Sequence, residues 1–128
     1  MKPLTIEWIE KAEEDWVVML KAYRGRKDPA YNAACFHAQQ CAEKYLKGRL
    51  IEAGIVFEKM HDLKELMDQA TTVEPGWSNL ENELNFLNRF SVIYRYPGHS
   101  VTKMVAKDAV SACRKVRSVI RAAFGLPV

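Results

Sequence analysis

Apolar residues recur along this chain at three- and four-residue intervals, and glycines and prolines fall between the runs rather than inside them. That rhythm belongs to amphipathic helices, and no segment alternates in the two-residue period of a strand. The spacing predicts five helices. The first runs from about Thr5, as N-cap, to Arg24, with Ile6, Ile9, Trp16, Met19, Leu20 and Tyr23 on its apolar face and Gly25 as its end. The second opens at Asp28-Pro29 and continues to Ala53, where Gly54 provides a stop. A short third helix starts at His61 or Asp62 and reaches Thr71, with Leu63, Leu66 and Met67 inward. The fourth spans about Ser78 to Tyr94 on Leu80, Leu84, Leu87 and Val92. The turn Tyr96-Pro97-Gly98-His99-Ser100 interrupts the chain, and Thr102 caps a fifth helix that stops before Gly125. The expected fold is an all-α, up-and-down antiparallel bundle of four long helices and one short one, a single domain over residues 1–128.

Composition narrows this further. At 128 residues and 48% hydrophobic, the chain can bury one core. No apolar run approaches the ~18 residues of a membrane span, and the first residues lack the apolar core of a signal peptide. Three cysteines at spacings unlike a zinc motif suggest reduced thiols and a cytoplasmic location. Cys35, Cys41 and Cys113 are expected in the core, and no metal site is expected from His37, His61 and His99. No glycine-rich phosphate loop is present, and no cofactor is expected.

The net charge of +3 is unevenly spread. Residues 101–128 hold six cations (Lys103, Lys107, Arg114, Lys115, Arg117, Arg121) against Asp108 alone, net +5, which leaves −2 for the rest. At ~100° per residue, Lys103, Lys107, Arg114, Arg117 and Arg121 fall within about 40° of one line. A one-signed stripe attracts polyanions, and this predicts a phosphate-facing surface. The competing expectation is an ordinary solvated face.

The second helix carries the most unusual stretch, Ala33-Ala34-Cys35-Phe36-His37-Ala38-Gln39-Gln40-Cys41-Ala42-Glu43-Lys44-Tyr45-Leu46-Lys47. Ala34, Ala38 and Cys41, extended by Tyr45, form a small-residue stripe suited to close helix approach, within the bundle or across a dimer. His37, Gln40, Lys44 and Lys47 share another face, which is either simply solvated or able to hydrogen-bond a phosphate or base. Taken with Ala12 and Asp15, Tyr31, His61-Asp62-Leu63, Arg95-Tyr96-Pro97 and Asp108-Ala109, this block resembles the HEPN family of small prokaryotic helical proteins, over essentially the whole chain. The resemblance implies a helical bundle that forms homodimers and binds nucleotides or cleaves RNA. It also implies a minimal nucleotidyltransferase as an antitoxin partner.

The ribonuclease members of that family share an Arg and a His at a short, set spacing. Such a pair needs no metal, since a His of near-neutral pKa moves the ribose 2′-hydroxyl proton while the Arg fork stabilises charge on phosphorus. Here Arg95 and His99 have three residues between them, fewer than the family pattern, and Arg89 and His99 have nine. Arg95 and His99 are the candidate catalytic pair. Arg95, Tyr96, His37, Lys44, Lys107, Arg114, Arg117 and Arg121 are the candidate nucleotide or RNA contacts, with Tyr96 or Tyr94 able to stack on a base. The alternative is a non-catalytic scaffolding bundle that binds a protein partner.

Overall fold

The computed structural model describes residues 1–92 and 97–128. The elements are α1 (Pro3–Arg24), α2 (Tyr31–Ala53), α3 (Leu63–Ala70), a short 3-10 helix (Pro75–Leu80), α4 (Glu81–Asn88) and α5 (Lys103–Ala123), with no strand among the described residues. The all-α bundle is therefore the fold. The segment expected as one fourth helix begins as the 3-10 turn and becomes α-helical only at Glu81. The α-helix ends at Asn88, so Val92 lies beyond it, and Tyr94 lies outside the described residues.

Two expected helix starts are corrected. α1 begins two residues early because Pro3 fits the first turn, where no N–H partner is needed. Thr5 is not its cap: the hydroxyl is buried and donates to Glu52 Oε1 at 2.9 Å, which ties the start of α1 to the end of α2. α2 starts at Tyr31 rather than Asp28, because Ala30 N–H donates to Ala22 O at 2.9 Å and closes the connecting loop. Gly25 makes this closure feasible, since a Cβ there would meet Asp28 O at 3.2 Å. Three other ends match expectation. Asp62 accepts from Lys64 N and Glu65 N, Thr102 accepts from Val105 N, and Gly54 takes the left-handed conformation at φ 73°.

The buried side chains form one continuous cluster. α2 is central, and its small-residue stripe of Ala34, Ala38 and Cys41 is fully buried with Tyr45 inside the bundle. Burial pushes the Cys35 thiol up to about 12 and also raises the Cys41 thiol well above its ordinary value, so both remain protonated, inert core residues. Of the expected first-helix stripe, Ile9 and Met19 are buried but Ile6 is exposed.

The connections decide what meets at each end. α1 runs antiparallel to α2, joined by the loop that closes onto Ala22. Asn32, in the first turn of α2, donates through Nδ2 to His99 O at 3.3 Å and accepts from Val101 N at 2.8 Å. The end of α1 and the starts of α2 and α5 thus share one end of the bundle. After Gly54, residues 55–62 return along α2 and bring His61 back to Glu43 and Lys47.

Candidate functional site

The end fixed by Asn32 gathers most of the unneutralised positive charge. Lys21 and Arg24 lie in the last turn of α1, Arg26 and Lys27 in the following loop, and Lys103 and Lys107 in the first turns of α5. All six are exposed, and none forms an ion pair among the described residues. Asp28 and Asp108 are the nearby acids in sequence. The backbone of His99 is anchored here through Asn32.

The basic stripe expected along α5 is divided by its partners. Arg117 forms a two-pronged bond to Glu13, Nε at 2.8 Å and Nη2 at 2.7 Å. Its guanidinium also lies 4.6 Å from the centre of the Trp16 ring. Arg121 reaches Tyr45 Oη at 3.1 Å, Glu13 at 3.5 Å and the carbonyl of Pro127. Burial alone would raise the Glu13 carboxyl, but the bonds from Arg117 and Tyr45 and the two guanidinium charges hold it below its usual value. Arg117 and Arg121 are thus structural counter-ions of α1 rather than open phosphate contacts. Lys115 is likewise paired, to Glu83 at 2.8 Å. Arg114 stays exposed, 5.8 Å over Trp16.

The polar face of α2 is also turned inward, and neither the solvated reading nor the open-contact reading describes it. His37 Nδ1 and Lys44 Nζ lie 2.7 and 2.6 Å from the two oxygens of the buried Asp15. Lys47 is buried, donates to Glu43 Oε2 at 2.9 Å, and sits 5.5 Å from the rings of both Trp8 and Phe57. A buried ammonium needs such compensation from a carboxylate and aromatic faces.

Beside this network lies a cavity of about 590 Å³, lined by Phe36, Gln40, Glu43, His61, Asp62, Asn88, Ser91 and Val92. Glu43 is held by Lys47 and by Gln39, whose Nε2 donates at 3.0 Å. Asp62 receives Asn88 Nδ2 at 3.1 Å, and that bond, with those from the α3 backbone, keeps its carboxyl low despite some desolvation. The Lys47 ammonium donates to His61 Nδ1 at 3.0 Å. The same Nδ1 lies 3.4 Å from Glu43 Oε2. His61 thus lines a cavity walled by two carboxylates, with its Nδ1 turned toward Lys47 and Glu43. Such a site suits a neutral polar group, a base edge or ribose, better than a phosphate.

Of the sequence candidates, Arg95 and Tyr96 lie outside the described residues. The described ends of their segment are Val92, in the cavity lining, and Pro97, which leads to His99 at the basic end. His99 is exposed there, and Lys107 lies on the same end. The cluster around residues 21–27 was missed, because the acids of α1 mask it in any sum over the first helix. The signal was local: Lys21, Arg24, Arg26 and Lys27 flank a tight turn. Among the described residues no group of three or more His, Cys, Asp or Glu side chains is placed to hold a metal ion.

A sequence profile of the HEPN domain matches residues 5–123, nearly the whole chain. The chain belongs to the HEPN domain family. Neither the comparison with curated proteins nor that with solved structures gives a match. HEPN membership supports a general nucleotide- or RNA-binding or toxin-like role. No described helix of this HEPN protein is long and apolar enough to cross a membrane.

Proposed function

We propose that this HEPN protein binds single-stranded RNA or a nucleotide at the basic end of the bundle, with a base or ribose entering the cavity of Gln40, His61 and Asn88. The observation that carries this reading is the convergence of six exposed cations, from α1, its following loop and α5, on the end where Asn32 anchors the His99 segment. Unpaired cations on one surface release counter-ions from a polyanion, whereas cations already bonded to carboxylates do not. Arg95, which lies outside the described residues, and His99 are the residues proposed to act on a bound phosphodiester, and Tyr96 to stack on a base. A homodimer, in which two such ends flank one strand, and a nucleotidyltransferase-like antitoxin belong to the same reading on the strength of the family resemblance.

The test is RNA affinity measured against salt. Reversing Arg24 and Lys27 to Glu should weaken binding and lower the slope of log affinity on log salt by about 0.7 per neutralised contact. Lys115→Glu, on the α4 side, should change little. The length of the RNA after incubation reads cleavage in the same samples, with Arg95→Ala and His99→Ala as controls. Salt-independent binding that ignores Arg24 and Lys27 would refute the reading.

A further inference from the structure

The outward face of α1 leaves several aliphatic side chains in water. Ile6, Val17 and Val18, all on α1, are 41%, 47% and 42% exposed. They border a groove of about 780 Å³ that continues over Ile9 to Leu126. Apolar side chains left in water at both ends of a groove mark a contact with another molecule.

The charges in the groove restrict what that molecule is. Glu13 and Arg121 face it but are bonded to each other and to Tyr45 and Arg117. Glu10 forms no ion pair among the described residues, and Glu14 has only Lys11 at 3.9 Å, with both side chains largely in water. A pair so exposed neutralises little. Glu10 and Glu14 are one helical turn apart, and Ile6 precedes them by a turn as Val17 and Val18 follow. The face therefore reads apolar, acidic, acidic, apolar over a length of about 18 Å.

This order excludes three occupants. Nucleic acid and anionic lipid headgroups meet the wrong charge. A second copy pairing α1 to α1 about a two-fold axis at the middle of the row would set Glu10 against Glu14 of its partner, and like charges directly opposed disfavour that contact. What complements the row is a helix with an aliphatic stripe interrupted by two Lys or Arg residues one turn apart, laid in the groove.

We infer that the groove along α1 is a docking site for a basic amphipathic helix of another protein, on a face of the bundle separate from the cationic end. The inference does not depend on RNA binding. Full-length protein is titrated with fluorescent helical peptides that carry a Leu/Ile stripe and a Lys pair at i, i+4. A matched set carries Glu in place of Lys. The Lys peptides should bind at least about tenfold more tightly in anisotropy, as expected for charge complementarity at a shared apolar face. Glu10→Lys with Glu14→Lys should invert the preference, and Val17→Asp should abolish binding. All three positions are exposed, so the melting temperature should hold. Lys27→Glu, at the basic end, should leave peptide binding intact. Equal affinity for the two peptide sets, or binding of neither, overturns the inference. So does a dimer in light scattering that Val18→Asp disperses, or attachment to phosphatidylcholine–phosphatidylserine vesicles that the same variant removes.

Discussion

Glu13 shows how far a side chain's role depends on its partners. In the sequence it is one of several acids on the first helix, and Arg117 is one of five cations on a line. Together they form a forked ion pair with Tyr45 and Arg121 at its edge. The pair joins α1 to α5, helices that otherwise touch far less than α1 and α2 do. Arg117→Ala should therefore destabilise the fold by about 2 kcal/mol, the scale of losing charge-assisted hydrogen bonds. It should leave RNA affinity unchanged once folded. Urea titration and RNA binding on the same variant check both statements, and a loss of RNA affinity without loss of stability would return Arg117 to the binding surface. This could not be read from the sequence, since helical periodicity gives the direction of a side chain and not the charge on the neighbouring helix. His37 and Lys44 illustrate the same limit, as both point at Asp15 from a distance of 22 and 29 residues.

At the scale of elements, signals were legible where the determinant is local. Asp62 caps α3, Thr102 caps α5 and Gly54 ends α2, each set by a residue's own side chain or conformational freedom. They were misleading where a distant partner competes. Thr5 has a cap's chemistry but spends its hydroxyl on Glu52, and the start of α2 is fixed by Ala22 and Asn32 rather than by Asp28-Pro29. Asp62 does more than cap, because Asn88 donates to its other oxygen while accepting from Leu63 N at 3.0 Å, which locks α3 to the end of α4 beside the cavity. Asp62→Ala should cost about 1–2 kcal/mol, the upper part of the range for a lost N-cap. Equilibrium unfolding gives that value. Asp62→Asn, which keeps an acceptor for the backbone, should recover part of it, and equal losses in both would assign the effect to charge alone.

Across the whole molecule, the bundle was legible because five helices with short connections leave few arrangements, and the candidate site was not, because it is made by topology. The cations of α1 and α5 are some eighty residues apart in the chain and meet only because Asn32 binds residues 99 and 101. The same clustering leaves the carboxylates as the ionisable groups on which folding depends. Glu13, Glu83 and Asp62 sit in separate parts of the bundle, and all three carboxyls lie below their ordinary values of 4.5, 4.5 and 3.8. Burial opposes the shift in each, and is outweighed at Glu13 by Arg117 and Tyr45 and at Glu83 by Lys115. At Asp62 the bond from Asn88 is the largest influence. Where the folded carboxyl stays ionised and the unfolded one is protonated, the unfolded chain holds more protons, so lowering the pH favours unfolding. The stabilisation is complete above the unfolded values and disappears as pH falls through the folded ones. The urea midpoint should hold steady from neutrality down to about pH 5 and fall between there and about pH 3. Glu13→Gln should begin less stable and fall less steeply across that window, because one of the shifted carboxyls no longer titrates. A wild-type midpoint that is flat to about pH 3 would show that these ion pairs exist without contributing to the stability of the fold.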